Sequence, residues 1–172
     1  MGPQWKQPFD FIHSANIAQG IHDWPTYASR IFDNLAPGGV VQLRESHVVF
    51  QCDDNSIPAG GAIETHCARF VKAAEATGLT NNLEDLAGFL VDAGFEDVKV
   101  VIKKLPLAPW PKDPKKKELG RWGNCIASNG MKSYCLALCT NVLGMTLEEA
   151  NRSCDEAFAE VCKREVHAYT AK

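Results

Sequence analysis

Two short apolar segments on either side of a well-marked helix constrain the fold most strongly. Residues 9–13 (FDFIH) are mostly apolar and end in a polar residue, as buried parallel strands do. Asp23 is a suitable N-cap for a helix over 24–34, and the glycine-rich turn that follows leads into a second strand over 40–45, which we expect to continue to residue 50. Two strands joined through a helix favour a parallel sheet with a right-handed crossover.

The rest of the chain continues the alternation of helices and strands. Apolar periodicity and capping residues predict helices over 61–77, over 83–93 with Asn82 as cap, over 131–143, and from Thr146 to about residue 165, together with a third strand over 98–104. Segments 51–60 and 105–130 are predicted to be mobile loops, the second because of its prolines. The predicted fold is therefore an α/β domain over residues 1–172, with three mostly parallel strands and flanking helices.

Composition argues against several classes of partner. The formal net charge is −3, which gives no electrostatic reason to expect nucleic acid or an anionic membrane as a partner. The lysines at 112–117 fit a solvated loop. No apolar run has the length of a membrane span and no signal peptide is evident, so we expect a cytoplasmic protein. Seven cysteines without a C-x-x-C pair predict buried reduced thiols, and neither a metal site nor a disulfide framework.

A set of motifs in this order carries a family resemblance. They are IHS, DWP, LAPGG, AGFEDV and LPLAPWPKD, followed by LGMTLEEANRSCDEAFAEV and HAY. The chain resembles the C-terminal half of class I S-adenosylmethionine-dependent methyltransferases, in the fungal LaeA-like branch of secondary metabolism. The resemblance implies a partial, Rossmann-like methyltransferase fold that lacks the glycine-rich loop and the ribose-binding carboxylate, and hence no bound cofactor.

An incomplete sheet would leave the first strand as an exposed apolar edge. Such edges tend to pair with another chain. We therefore expect a homodimer that completes the sheet across this edge.

Candidate site residues lie where the strands end, because open α/β sheets bind ligands at the carboxyl ends of their strands. This rule selects His13 after the first strand, and Glu45 and His47 after the second, as catalytic residues. Each also has a simpler interpretation: a strand-end hydrogen bond for His13, an ion pair for Glu45, and a solvated residue for His47. Residues predicted to bind a small-molecule substrate are Asn16, Trp24, Tyr27, Asp53, Trp110, Trp122 and Asn124, although tryptophans are often core or loop anchors. His66 and His167 are expected to be structural.

Three functions remain open at this point. The first is a cofactor-independent cyclase, pericyclase or isomerase of a natural-product pathway, in which a His or Glu supplies acid–base help. The second is a methyltransferase whose missing half is supplied by another chain or by a half that is not part of this sequence. The third is a non-enzymatic regulatory or scaffold protein.

Overall fold

The computed structural model describes residues 7–79 and 83–171. Contacts divide the chain into two units, the first comprising Met1–Glu45 and Leu79–Val101 and the second Ser46–Gly78 and Ile102–Lys172. Whether the two fold as the single domain expected from the sequence stays a prediction. The elements are β1 (Phe9–Ala15), α1 (Trp24–Asn34), β2 (Leu35–Arg44), α2 (Ala62–Ala76), α3 (Leu86–Asp92), β3 (Lys104–Pro106), α4 (Pro114–Asn141), α5 (Leu147–Val161) and β4 (Tyr169–Ala171), with 3-10 turns at Ala18–Gly20 and Leu83–Asp85.

The first unit is built on a β1–α1–β2 segment whose two strands are parallel. Asp23 caps α1 as predicted, since its Oδ1 accepts a hydrogen bond from the amide of Thr26 at 2.9 Å. The predicted glycine-rich turn lies inside β2, where the pairing register shifts between Phe9 and Phe11 and Gly38 has a φ of +81°. The parallel crossover expected from the sequence is therefore confirmed, with an irregular start to its second strand.

One face of α1 supplies the buried apolar side chains described in the first unit. Trp24 and Ile31 are buried on this face, and α1 packs against α3. The rings of Phe32 and Phe95 meet edge-to-face, with centroids 5.1 Å apart. Gly94 follows the end of α3 and has a φ of +103°, and a Cβ there would lie 3.1 Å from the Phe32 ring. The positive φ favours glycine at this position, and a side chain there would also require the Phe32 ring to shift.

The second unit is a group of three helices that packs on a small sheet. Helices α2, α4 and α5 contact one another, and α4 also contacts β3. A Cβ on Gly123 would lie 2.0 Å from the carbonyl oxygen of Pro106, and one on Gly120 would lie 2.3 Å from that of Ala108. Glycines on α4 therefore allow its backbone to approach the 106–108 segment closely. The core of this unit comprises Ile63, Cys67, Leu107, Ala108, Ala127, Met131, Ala157, Val161, Val166 and Ala168.

Strand β4 is held along both edges. It pairs antiparallel with β3 on one side, and on the other the amide of Gln51 donates to Tyr169 at 2.9 Å. The amide of His47 also donates to the carbonyl of Ala171 at 2.9 Å. The segment before α2 and the segment before α4 are therefore both fixed to the last described residues of the chain.

The predicted three-stranded parallel sheet is wrong, although the α/β class is confirmed. Among the described residues only β1 and β2 pair in parallel, and 98–103 join no ladder. The strand was predicted there from the alternation of apolar and polar side chains. A strand also needs a neighbouring strand that accepts its backbone hydrogen bonds, and this alternation does not supply one. Val100 and Ile102 are accordingly 68% and 72% exposed. Strand β2 also ends at Arg44 and does not reach residue 50.

The segment 105–130, predicted to be a mobile loop, lies largely in α4. Its helix begins with Asp113 as N-cap and Pro114 in the first turn, where the missing N–H of proline costs nothing. The predicted cap at Asn82 lies outside the described residues.

Candidate functional site

Glu45 ties the loop after β1 to the end of β2. Its carboxylate, in a residue only 8% exposed, accepts hydrogen bonds from the amides of Ile17 and Ala18, each at 3.1 Å. Asn16 takes a positive φ of 54°, and its amide donates to the carbonyl of Arg44 at 3.0 Å. Both carboxylate oxygens thus hold backbone amides, which makes Glu45 an anchor of the strand-end loop more than a proton carrier.

The other two predicted catalytic residues have different surroundings. His13 is exposed on β1, where its ring stacks with Phe11 at a centroid distance of 6.3 Å. His47 belongs to the second unit, and its carbonyl accepts a hydrogen bond from the Thr170 hydroxyl at 2.5 Å. Among the described residues of the first unit, no hydrogen bond or ion pair joins His13 to Glu45.

Of two predicted substrate-binding aromatics, Trp24 is buried in the core of the first unit and Tyr27 is partly buried beside it. Trp24 is 2% exposed, and its ring meets that of Tyr27 edge-to-face at 5.7 Å. The indole N–H of Trp24 and the hydroxyl of Ser14 are buried without a hydrogen-bond partner among the described residues. A buried polar group without a partner is uncommon in a folded protein. Ser14 is therefore a buried polar group near the end of β1 whose hydrogen bond no described residue satisfies.

Asp53 anchors the loop before α2 to β3 and β4. Its carboxylate accepts hydrogen bonds from the ammonium of Lys104 at 2.6 and 2.7 Å and from the hydroxyl of Tyr169 at 2.8 Å. The Lys104 ammonium also lies 4.6 Å from the centre of the Tyr169 ring. These two donors, Lys104 first, hold the pKa of Asp53 below its usual range.

The adjacent Asp54 forms a second contact with the same terminal segment. Its Oδ2 lies 2.5 Å from Nδ1 of His167, and the Ser56 hydroxyl accepts from the His167 amide at 2.8 Å. Hydrogen bonds from Ser56 and then from His167 lower the pKa of Asp54 to about 2. The His167 ring lies beside Trp110, with centroids 5.0 Å apart, and the Trp110 N–H donates to the carbonyl of Ala168 at 3.2 Å.

Sequence reasoning missed this pairing and expected His167 to be structural. A weak signal exists, because Asp53 and Asp54 are adjacent while His167 and Tyr169 alternate along an extended segment. Alternate residues of a strand face the same side.

The two predicted site residues of α4 do not belong to a mobile loop. Trp122 is 63% exposed on the helix. Asn124 donates from Nδ2 to the carbonyl of Leu107 at 3.0 Å and lies 3.4 Å from the sulfur of Cys162. Asn124 therefore helps to fix α4 on the segment after β3.

A buried imidazole and thiol lie together in the helical core of the second unit. Nε2 of His66 is 3.3 Å from the sulfur of Cys135. Burial, with a smaller contribution from the Arg69 charge, lowers the pKa of His66 to about 4, and burial raises the pKa of the Cys135 thiol. In residues 7–79 and 83–171, no three His, Cys, Asp or Glu side chains are placed to hold a metal ion. The buried thiols are Cys67, Cys135, Cys139 and Cys154.

Comparison with known proteins identifies relatives over almost the whole chain. Methyltransferase pytC of Aspergillus terreus is 30% identical over 95% of this chain and 51% of its own length. The secondary metabolism regulator laeA of Aspergillus flavus is 28% identical over 95% of this chain and 45% of its own length. The chain is thus similar to a methyltransferase and to a laeA protein over nearly all of its own length. A protein-methionine methyltransferase laeA from Emericella nidulans is also 28% identical, over 95% of this chain and 44% of its own length.

The chain spans about half the length of the curated relatives it matches. No family model matches it. No solved structure matches it either. No described helix combines the length and apolar character needed to cross a membrane.

Proposed function

We propose that this chain carries the strand-end and acceptor-side part of a LaeA-like methyltransferase of secondary metabolism. The observation that supports this most strongly is the similarity to methyltransferases over 95% of the chain. The loop that Glu45 holds lies at the carboxyl ends of two parallel strands, which is where open α/β sheets bind ligands.

The chemistry of this loop fits one edge of a site for S-adenosylmethionine. Glu45 fixes the backbone of 16–18, and the buried Ser14 hydroxyl offers a hydrogen bond that no described residue uses. When bound, the cofactor supplies an electrophilic methyl group. In this proposal Ser14 meets a polar edge of the ligand and Glu45 keeps the loop rigid, so that less ordering is needed on binding. The relatives are about twice as long as the matched region, and we assign the remaining cofactor contacts to their unmatched part.

A cofactor-independent cyclase or isomerase is the second candidate. The observation that favours it is the contact of Asp54 with His167 beside the ring of Trp110, which joins an acid–base pair to an apolar surface. Completion of the sheet by a homodimer also stays a proposal, and light scattering at micromolar protein measures it.

Amide NMR of the chain with S-adenosylhomocysteine tests the first proposal. We expect millimolar ligand to shift the amide resonances of Ser14 to Ala18. Glu45→Gln should weaken binding by about tenfold, because one amide of the loop loses a charged acceptor. Glu96→Gln is the matched control, since Glu96 is exposed in the same unit, and it should bind like the unchanged chain. Shifts confined to other regions, or equal affinities of the two variants, would contradict the proposal.

A further inference from the structure

His167 combines an oriented imidazole with an open ring nitrogen. Nδ1 faces the carboxylate of Asp54 at 2.5 Å, while Nε2 has no hydrogen-bond partner among the described residues. The His167 side chain is 37% exposed. Because Nδ1 faces an acceptor, the neutral ring carries its proton there and presents the lone pair of Nε2.

The surrounding backbone fixes this ring. The amide of His167 donates to the Ser56 hydroxyl at 2.8 Å, and the Ser56 amide donates to Asp54 Oδ1 at 3.2 Å. The neighbouring charges, Asp53 and Lys104, are engaged with each other at 2.6 Å. Because Asp53 is paired with Lys104, Asp54 is the carboxylate that contacts the His167 imidazole.

Trp110 gives the imidazole a planar apolar neighbour. The two ring centroids are 5.0 Å apart at an interplanar angle of 39°, and the indole N–H is already bonded to Ala168. Aromatic surfaces favour planar, conjugated ligands. A phenol or enol would meet both features, with its ring or double bond near Trp110 and its hydroxyl at Nε2.

We propose that His167 is an acid–base group whose Nε2 accepts the proton of an acidic phenolic or enolic hydroxyl, with Asp54 as its positioning residue. The O–H bond breaks, its electron pair stays on oxygen, the proton forms an N–H bond at Nε2, and Asp54 faces the imidazolium that results.

The test uses 4-nitrophenol, whose phenolate absorbs visible light. At a pH where the free phenol is mostly protonated, adding the chain should raise the phenolate absorbance saturably. His167→Gln should abolish this rise. Asp54→Asn should reduce it by about tenfold, the effect expected when the acceptor that orients a histidine is lost.

Tyr169→Phe is the matched control for Asp54→Asn. It removes the hydrogen bond that the Tyr169 hydroxyl donates to Asp53 at 2.8 Å, which anchors the same loop, and it leaves the contact between Asp54 and the imidazole in place. We expect it to leave the absorbance rise unchanged. Equal losses in the two variants would mean that Asp54 only anchors the loop, and would overturn the proposal. No saturable rise with the unchanged chain, or an equal rise with His167→Gln, would also overturn it.

If His167→Gln does not fold, nitrogen NMR of the unchanged chain decides the question. Adding 4-nitrophenol should move Nε2 of His167 towards the protonated shift and leave the exposed His22 unaffected. An unmoved His167 signal overturns the proposal. These readouts are independent of S-adenosylhomocysteine binding, so failure here and failure of the proposed function are distinguishable.

Discussion

Acidification should destabilise the second unit through His66. This histidine is 4% exposed in the helical core, where its ring lies 3.3 Å from the Cys135 sulfur. Its pKa falls from 6.5 to about 4, first because burial disfavours the charged form and then because Arg69 is nearby. The unfolded chain therefore binds a proton at His66 more readily than the folded chain does.

The size of the effect follows from the two pKa values. Above pH 6.5 both states are neutral at His66, and the contribution of this residue to stability does not depend on pH. As the pH falls below 6.5 the unfolded state gains the proton first, so the free energy of unfolding decreases. The loss is about 2 kcal/mol near pH 5 and about 3 kcal/mol below the folded pKa.

Urea unfolding at pH 7, 6 and 5 measures this loss, with His66→Gln as the comparison. Other groups titrate in both proteins, so the difference between the two pH profiles isolates His66. We expect the unchanged chain to lose about 2 kcal/mol more than the variant between pH 7 and pH 5. Parallel profiles would refute the assignment of a buried neutral imidazole at this position.

Four substitutions test the packing by urea unfolding. Gly123→Ala should destabilise the chain by about 1–3 kcal/mol, because the new Cβ would lie 2.0 Å from a backbone oxygen. Gly130→Ala should instead stabilise α4 by about 0.5–1 kcal/mol, because its Cβ would meet only Tyr134, at 3.8 Å. The opposite order of stabilities would contradict the close approach of α4 to the 106–108 segment. Glu160→Ala should lower the free energy of unfolding by about 1–3 kcal/mol, since the Glu160 carboxylate accepts a hydrogen bond from the Ile63 amide at 2.8 Å. An unchanged urea midpoint would contradict the importance of this hydrogen bond. Trp122→Ser should change stability by less than about 0.5 kcal/mol, because this ring is 63% exposed, and a larger loss would mean that it packs in solution.

Local signals predicted the local elements well. The cap at Asp23 and the capping box at Thr146 both form as expected, because each depends on residues three positions apart. The start of α4 was missed because the prolines before it and the glycines within it lower helix propensity. Gly123 is nevertheless needed for close packing on the segment after β3.

The sequence did not indicate which strands and side chains that are far apart along the chain come together. Lys104 pairs with Ala171 in an antiparallel ladder, although the sequence pattern predicted Lys104 to end a parallel strand over 98–104. The site shows the same limit, because Asp54 and His167 are 113 positions apart and only the fold joins them. Glu45 was singled out correctly as a strand-end residue, but its contacts with backbone amides depend on a loop whose conformation no periodicity encodes.

Titration calorimetry of the chain with S-adenosylmethionine and S-adenosylhomocysteine tests the methyltransferase proposal most directly. We predict weak, saturable binding with one site per chain, reduced about tenfold by Glu45→Gln and unaffected by Glu96→Gln. The absence of any heat of binding at high protein concentration would contradict the proposal that the loop after β1 contacts the cofactor. Equal affinities of the unchanged chain and Glu45→Gln would contradict it as well.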